Sequence, residues 1–353
     1  MDPLSQGALG AALPQSIAKS QHFGRALFCG LLAGMAPDLD VLISSSTDPL
    51  LFLEYHRQFT HSLVFIPFGA ALVASLIWLF VGRSRSWSKR SVFAYCLLGY
   101  ATHALLDACT TYGTLLLWPF SQERFAWNNI SIIDPLFTLP LVFGVLLSRS
   151  RGSRWPAAIA LAWGLSYLAL GVVAREAAKS EAWAIAAQRG HQPEAVDVKP
   201  SFANLLVWKT IYFSEGRYFV DAVRLGPQVV VYPGDSVAAF NYQEDMPGLR
   251  RDSLQGRDVE RFRWFSMGYI ALHPEYPDRV MDLRFSLLPN QIKPLWSIRI
   301  DLQSQDETHV LYQSERGAAG AALRQLFAMI RGQPQTFSAA STAAPGDRPT
   351  PSR

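Results

Sequence analysis

Five long apolar segments occupy the first half of the chain, separated by short stretches that carry charge. The segments are Phe23 to Ile43, Ser62 to Val81, Ser91 to Ala108, Ile130 to Leu147 and Trp155 to Ala174. Residues 63–81 and 155–174 contain no charged side chain, and an apolar helix needs ~20 residues to cross a bilayer. The pattern therefore predicts a multi-pass α-helical membrane domain of about five helical segments over residues 1–174.

The first segment differs from the others because Asp38 and Asp40 interrupt it. These carboxylates stand where a cleavable signal peptide would have its apolar core and its small-residue cleavage site. We therefore interpret the segment as a retained helix, either spanning the membrane or re-entrant.

The basic loops predict the orientation, since lysine and arginine in short loops stay preferentially on the cytoplasmic side. One loop contains Arg83, Arg85, Lys89 and Arg90, and the other contains Arg149, Arg151 and Arg154. Both loops are predicted to be cytoplasmic. With five crossings, the start of the chain is then expected inside the cell and everything after residue 174 outside it.

After residue 174 the pattern changes to that of a water-soluble region. Residues 175–200 are predicted as an amphipathic helix followed by a linker from Gly190 to Pro200. Residues 201–332 are predicted as a small β-rich (α+β) extracytoplasmic domain. The tail, residues 333–353, is rich in Ser, Thr, Ala and Pro and is expected to be disordered.

Short β-rich runs between turn clusters mark the strands of this domain. The predicted strands are Leu205 to Phe213, Tyr218 to Leu225, Val229 to Tyr232, Arg261 to Leu272, Val280 to Leu287 and Trp296 to Leu302. Polar and apolar residues alternate from Arg261 to Phe265, which is typical of an antiparallel sheet with one wet face. A helix from Gly317 to Ile330 is expected to close the domain.

Composition excludes several classes of protein. The 353 residues are 50% hydrophobic and 17% charged, with a formal net charge of +4 and a mean hydropathy of +0.11. These values exclude disordered and fibrous proteins, and the scattered arginines predict no nucleic-acid partner. The three cysteines, Cys29, Cys96 and Cys109, lie in apolar surroundings and predict no disulfide framework.

Seven ionisable residues lie in or beside the apolar segments, where a charge is costly and therefore indicates function. They are Asp38, Asp40, His56, His61, His103, Asp107 and Asp134. In the predicted topology each of them lies at the outer end of a segment or in the outer loop that leads into one. We therefore expect all seven at one depth, near the outer membrane–water interface.

These residue types favour a metal site. His103 and Asp107 are four apart in a helical segment, so both emerge on one face. Imidazole and carboxylate ligands without thiolate suit Zn²⁺, or Mn²⁺ or Fe²⁺. The expected ligands are Asp38, His61, His103 and Asp107. The surplus of candidates leaves room for a second ion, so one or two ions are expected.

The remaining candidates are given supporting roles. Asp40 and His56 are expected to be ligands of a second ion or the general base. Asp134 is expected to orient a ligand, and Arg57 to bind an anionic group of the substrate.

Each candidate also has a purely structural interpretation. His56 can be an interfacial hydrogen-bonding residue, and Asp38 a turn residue after Pro37. Asp134, directly before Pro135, can cap a helix. His103 with Asp107 can form an intramembrane ion pair. The other histidines lack partners at ligand spacing and are expected on the solvated surface: His22, His191, His273 and His309.

The ordered motifs resemble the YdjM-type inner-membrane, metal-dependent hydrolase family. The motifs are Met-Asp-Pro-Leu-Ser-Gln at 1–6, Ala-Pro-Asp-Leu-Asp at 36–40, His-Arg-Gln-Phe-Thr-His-Ser at 56–62, His-Ala-Leu-Leu-Asp at 103–107, Tyr-Gly at 112–113, Trp-Pro-Phe-Ser at 118–121 and Ile-Asp-Pro at 133–135. The resemblance covers most of residues 1–175. It implies a multi-pass protein of the bacterial inner membrane with a metal-hydrolase site at Asp38, His56, His61, His103 and Asp107.

The sequence thus predicts a membrane-bound metal-dependent hydrolase that acts at the outer face of the inner membrane. A site at that depth suits a lipid-borne or phosphoester substrate, so membrane lipids are the expected partners. The alternative is a non-catalytic membrane protein, either a metal-stabilised scaffold or a transporter. A transporter more often places ionisable residues near the midplane of two repeated halves, and no internal repeat is evident.

Overall fold

A helical region precedes a β-rich region in the computed structural model, which describes residues 1–315, 317 and 319–334. The helices of the first region are α1 (Pro3–Ile17), α2 (Phe23–Met35), α3 (Leu51–Tyr55), α4 (Ile66–Ile77), α5 (Lys89–Ala108), α6 (Pro135–Arg151) and α7 (Trp155–Gln188). This order of a helical region and a β-rich region confirms the coarse fold prediction. The predicted disordered tail lies outside the described residues from position 335 onward.

Every predicted apolar segment contains a helix, but few of these helices are both long and apolar enough to span a membrane. In the described part of the chain, α7 alone is long and apolar enough to cross a membrane by itself. The bent pair Leu51–His61 and Ile66–Gly82 also qualifies if it is counted as one span, although its two parts meet at 87°. The five crossings therefore stay a prediction.

Helix α1 was not predicted from the sequence, and it packs closely against α2. A methyl group added at Gly30 would lie 2.2 Å from the Gly10 carbonyl oxygen, and one at Gly34 would lie 2.7 Å from the Gln6 carbonyl oxygen. The pairing of later α1 residues with earlier α2 residues means that the two helices run antiparallel. Glycine on both helices permits this close contact.

The two ends of the helical region differ in charge. At one end, Arg25 donates from Nη1 to Ser91 Oγ at 2.8 Å, and Arg149 lies beside Gly24. At the other end, α2 continues into a 3₁₀ helix, Ala36–Leu42, beside the C-terminal end of α5. The basic loops and the predicted metal ligands thus lie at opposite ends.

The start of the chain lies at the ligand end, because the Met1 amino group donates to Asp107. The five-segment prediction put the start at the opposite end. It was wrong on this point because the additional helix, α1, reverses the direction of the chain before α2.

Two antiparallel sheets form the β-rich region. The strands are β1 (Ala195–Pro200), β2 (Val207–Ser214), β3 (Arg217–Arg224), β4 (Val230–Tyr232), β5 (Ser236–Ala238), β6 (Ile270–Leu272), β7 (Arg279–Asp282), β8 (Trp296–Arg299) and β9 (Leu311–Ser314). One sheet has the order β1-β2-β3-β4, with β5 also paired to β3, and the other has the order β6-β7-β8-β9. The helices are α8 (Tyr242–Asp245), α9 (Leu254–Phe265) and α10 (Ala319–Ile330).

Two predictions in this region were wrong. The strand predicted from Arg261 is helix α9 as far as Phe265, and only β6 is extended. Ser253 caps α9 by accepting from Gly256 N at 3.0 Å, and five alternating residues are too few to exclude a helix. The linker predicted from Gly190 contains β1, which pairs antiparallel with β2.

The second half of α7 attaches the β-rich region to the helices. Ala182 and Ile185 share a buried core with Trp208 and Tyr212 of β2. Arg189, which directly follows α7, donates to both carboxylate oxygens of Asp221 at 2.7 and 2.8 Å. Helix α7 therefore sets the position of the first sheet.

Candidate metal centre

Four side chains that are distant in sequence converge at one end of the helical region. They are Asp38, His61, His103 and Asp107, and one ligand atom from each lies within 4.8 Å of those of the other three. The Nε2 atoms of His61 and His103 lie 2.8 Å apart. Asp38 Oδ1 is 3.5 and 3.4 Å from these two nitrogens, and Asp107 Oδ2 is 3.3 and 3.8 Å from them.

Local structure explains why these residues meet. His103 and Asp107 lie one turn apart near the C-terminal end of α5, so both project from the same face. Pro37 is at the start of the 3₁₀ helix that carries Asp38, and His61 ends the 3₁₀ turn Phe59–His61. The two short 3₁₀ elements thus deliver single side chains to a site built on the long helix.

Hydrogen bonds fix which nitrogen of each imidazole faces the centre. His103 Nδ1 donates to the Gly34 carbonyl oxygen at 2.6 Å, because a carbonyl oxygen can only accept. Thr60 Oγ1 donates to Asp40 Oδ2 and so accepts from His61 Nδ1 at 3.0 Å. Both Nε2 lone pairs are therefore directed at the centre, as in proteins that hold a metal with histidine.

The geometry fits one divalent cation. Ligands at bond lengths of about 2.0–2.2 Å occupy the corners of a tetrahedron with edges of about 3.3–3.6 Å. Most of the distances between the converging atoms lie near that range. Asp107 Oδ2 is also buried and makes no hydrogen bond. Its nearby cation is Arg57, whose Nε lies 3.0 Å away, so this oxygen still has lone pairs for a metal ion. These four residues can hold a metal ion.

A second group of possible ligands adjoins the first. Asp38, Asp40 and His56 offer atoms within 4.8 Å of one another, and His56 Nδ1 lies 2.7 Å from Asp40 Oδ1. Asp40 Oδ2 also accepts from the Arg57 backbone N–H at 2.9 Å. Asp38 belongs to both groups and could therefore provide a ligand atom to each.

Arg57 is buried beside the centre. Its Nε lies 3.0 Å from Asp107 Oδ2, and its Nη1 donates to Thr110 Oγ1 at 2.9 Å. Its guanidinium carbon lies 5.2 Å from the centroid of the Tyr112 ring. Arg57 was predicted to bind an anionic substrate, but the charge it contacts in the structure is the Asp107 carboxylate.

Comparison with known proteins identifies the family. The model of the YdjM inner membrane protein family matches residues 1–178. The chain belongs to the YdjM inner membrane protein family. All the residues of both ligand groups lie within the matched range, and a location in the bacterial inner membrane agrees with the family.

Two curated relatives share part of this YdjM-family chain. The inner membrane protein YbcI of Escherichia coli (strain K12) is 36% identical over 135 residues, which are 35% of this chain and 74% of the relative. The uncharacterized protein YfhP of Bacillus subtilis (strain 168) is 24% identical over 169 residues, which are 47% of this chain and 48% of that protein. No solved structure matches.

Asp134 has the contacts of a helix cap in this YdjM-family protein. Its Oδ1 accepts from Leu136 N at 3.1 Å, at the start of α6, and its Oδ2 accepts from Tyr167 Oη at 2.9 Å. The bond from Leu136 N is the one expected of the capping alternative, and neither partner belongs to the ligand groups.

Sequence reasoning missed the contribution of α1. Gln6 Nε2 donates to Asp107 Oδ1 at 2.8 Å, and the Met1 amino group donates to the same oxygen. These bonds leave Oδ2 of Asp107 for the centre. The signal was present in the motif at residues 1–6, which resembled the family but had no assigned role.

The histidines outside the centre also differ from expectation. His273 is buried, and its Nε2 lies 3.0 Å from Glu315 Oε2, so the prediction of a solvated side chain was wrong. His309 Nδ1 lies 2.9 Å from Asp258 Oδ2. Both acidic partners lie 42 or more residues away in sequence, which is why spacing alone did not reveal them.

Positive charge accumulates on the β-rich side of the centre. Burial lowers the pKa of Arg124 to about 9, and the nearby Arg284 and Arg57 add to the shift. Arg124 is buried with two guanidinium nitrogens that have no hydrogen-bond partner, and it lies 4.9 Å from the Trp264 ring centroid. Arg124 thus belongs to a group of arginines that includes Arg57, which lies beside the centre.

Proposed function

We propose that this protein is a membrane-bound metal-dependent hydrolase. The observation that carries the proposal is the convergence of two histidine nitrogens and two carboxylate oxygens within 4.8 Å of one another. Buried clusters of ionisable residues at the end of apolar helices are costly unless they have a function. The donor set of nitrogen and oxygen suits Zn²⁺, with Mn²⁺ and Fe²⁺ as alternatives.

The residues divide into distinct roles. Asp38, His61, His103 and Asp107 hold the ion, which when bound supplies Lewis-acid activation of a water molecule and of the substrate oxygen. Asp40 and His56 take the proton or hold a second ion. Arg57 compensates the charge of Asp107.

Access to the centre supports a catalytic role over a closed structural one. The side chains of His61, His103 and Asp107 are fully buried, whereas 21% of the Asp38 side chain is exposed. A catalytic site needs such an opening, while a structural site is usually enclosed by its ligands. Asp38 is also the residue shared with the second ligand group.

The proposed location is the outer face of the bacterial inner membrane, with several helices crossing and the β-rich region outside. The clustering of Arg25 and Arg149 at the end opposite the centre supports this orientation, because basic ends stay cytoplasmic. A centre at the outer interface suits a lipid-borne phosphoester. We therefore include a lipid-borne phosphoester substrate in the proposal.

A non-catalytic scaffold is the second candidate, and the complete burial of three of the four ligands favours it. In that case the ion ties the two 3₁₀ elements to α5 and no bond is cut. The choice can be made with purified protein in detergent, with and without chelator. Hydrolysis of lipid phosphates that disappears on chelation supports the hydrolase. Full metal occupancy without turnover, together with a lower melting temperature after chelation, supports the scaffold.

A further inference from the structure

A cavity of about 420 Å³ lies between the loops that precede α6 and the β-rich region. Small-molecule sites commonly have volumes of ~300–1,000 Å³. One wall includes Tyr112 and Ile133, and the other includes Lys209, Arg284 and Phe202. The cavity is separate from the metal ligands, since none of them lines it.

The cavity carries an excess of positive charge. Lys199, Lys209 and Arg284 line it, and all three are buried. Two of these cations have carboxylate partners: Lys199 Nζ lies 2.6 Å from Asp197, and Arg284 Nη2 lies 2.7 Å from Asp282. The third cation, Lys209, has no such partner.

Lys209 donates only to neutral groups, Ser286 Oγ at 2.8 Å and the Gln291 carbonyl oxygen at 2.9 Å. Among the described residues, no carboxylate lies within 4.0 Å of its Nζ, and 4% of the residue is exposed. A buried ammonium group without a counter-charge is costly. An anionic ligand in the cavity would supply that counter-charge.

The cavity is also lined by apolar side chains and is open to the surface. Leu287, Pro289 and Leu295 line it, and the lining residues Ile133 and Phe202 are 44% and 48% exposed. Ile133 directly precedes Asp134, the cap of α6, so this opening lies at the end of an apolar helix. Such a mouth accepts a hydrocarbon chain.

We propose that this cavity binds an anionic amphiphile, with its phosphate at Lys209 and its apolar chain between Ile133 and Phe202. The basic lining residues account for the charge of the ligand, and the exposed apolar mouth accounts for its chain. The site does not depend on a metal ion, because the cavity contains none of the proposed ligands.

The pKa of Lys209 is lowered, as expected of a buried amino group that has no carboxylate close to it. Burial lowers its pKa to about 7, and Asp282 offsets this only in part while Lys199 adds to the shift. A bound phosphate would raise the pKa again, since an opposite charge favours the ammonium form.

Binding can be measured by titrating dihexanoyl phosphatidic acid into the purified full-length protein in detergent. Inorganic phosphate and dihexanoyl phosphatidylcholine are the comparison ligands. Lys209→Met keeps the apolar stem and removes the charge, and Lys293→Met is the control, because Lys293 is exposed and pairs with Glu275. We expect Lys209→Met to weaken phosphatidic acid binding about 10 to 100-fold, as for a hydrogen-bonded charge, and Lys293→Met to leave it unchanged.

A second variant keeps the test decisive if Lys209→Met does not fold. Phe202→Ser lies at the open mouth and should weaken phosphatidic acid binding while leaving that of inorganic phosphate unchanged. Three results would overturn the proposal: no binding of phosphatidic acid by the wild type, equal binding of phosphatidylcholine, or inorganic phosphate binding as tightly as phosphatidic acid. Unchanged binding in a folded Lys209→Met protein would do the same. Metal content, measured separately, reports on the hydrolase proposal alone.

Discussion

The Nε2 atoms of His61 and His103 face each other across 2.8 Å, although 42 residues separate them in sequence. Each ring has its other nitrogen bonded to an oxygen, from Gly34 or from Thr60. Two lone pairs directed at each other repel unless a proton or a cation lies between them. The carboxylates of Asp38 and Asp107 beside this pair stabilise positive charge in either form, and they also offer the additional ligand atoms that a metal cation needs.

The first prediction is that His61 and His103 bind the same metal ion, so that each of them is required for metal binding. His61→Ala and His103→Ala should each remove most of the bound metal, because losing a ligand costs more than losing a supporting partner, for which ~10 to 100-fold in affinity is typical. Metal content of the purified proteins, by mass spectrometry, is the measurement. His191→Ala is the matched control, since that ring bonds to Tyr212. Full metal content in His103→Ala protein would contradict the ligand assignment.

The second prediction separates the two roles open to Asp40. Its Oδ2 lies 3.2 Å from His61 Nδ1, so Asp40→Asn should lower metal affinity by about 10 to 100-fold if it only orients that ring. If Asp40 is the general base, metal stays bound at saturating concentration and turnover is lost. Asp48→Asn is the control, since Asp48 pairs with Arg261 instead. Unchanged affinity together with unchanged turnover would exclude both roles.

The third prediction concerns orientation. The basic residues of the loops after α4 and α6 favour a cytoplasmic location for both loops, so a reporter fused after Gly332 should be exported. Alkaline phosphatase activity of that fusion is compared with a fusion in the loop at Ser86. A fusion at Gly332 that is active only with a cytoplasmic reporter would reject the outer-face location of the centre.

The fourth prediction tests the close contact of α2 with α5. A methyl group at Gly99 would lie 2.5 Å from the Gly30 carbonyl oxygen, and overpacking typically costs about 1–3 kcal/mol. Gly99→Ala should therefore lower the melting temperature in detergent. Gly320→Ala is the control, because nothing lies within 4 Å of the added atom and alanine favours a helix by about 0.5–1 kcal/mol. Equal melting temperatures of Gly99→Ala and wild type would contradict the packing.

Some of this structure could be predicted from local pattern. Apolar length located the helices, and the spacing of His103 and Asp107 put them on one face, because both features depend on neighbours in sequence. The position of Asp40 behind His61 could not be predicted, since it depends on how two 3₁₀ elements meet. Helix α1 was missed because its Gly- and Ala-rich sequence has little periodicity. Helix α9 was missed because Phe262 and Trp264 alternate with arginines as in a strand, whereas the buried pair is Phe262 and Phe265, at helical spacing.

The last prediction concerns Lys209 and pH. Burial lowers its pKa from an ordinary value of 10.5 to about 7, so between these values the unfolded chain holds a proton that the folded protein lacks. The stability cost of Lys209 is then complete below pH 7 and disappears as the pH rises toward 10.5.

Wild type should therefore gain stability relative to Lys209→Met as the pH is raised from 6.5 to 9.5 in phosphate-free buffer, measured as the difference between their melting temperatures. Lys199 and Arg284 also line this cavity, and the charge of Asp282 acts on Lys209. All three groups are present in both proteins, so their effects largely cancel in the difference. The same comparison with Lys293→Met should stay flat over this range, because its partner Glu275 raises the pKa of Lys293 above the ordinary value. A difference for Lys209→Met that does not change with pH would mean that Lys209 keeps its proton throughout. In that case a negatively charged group would have to lie close to the Lys209 ammonium group in the folded protein.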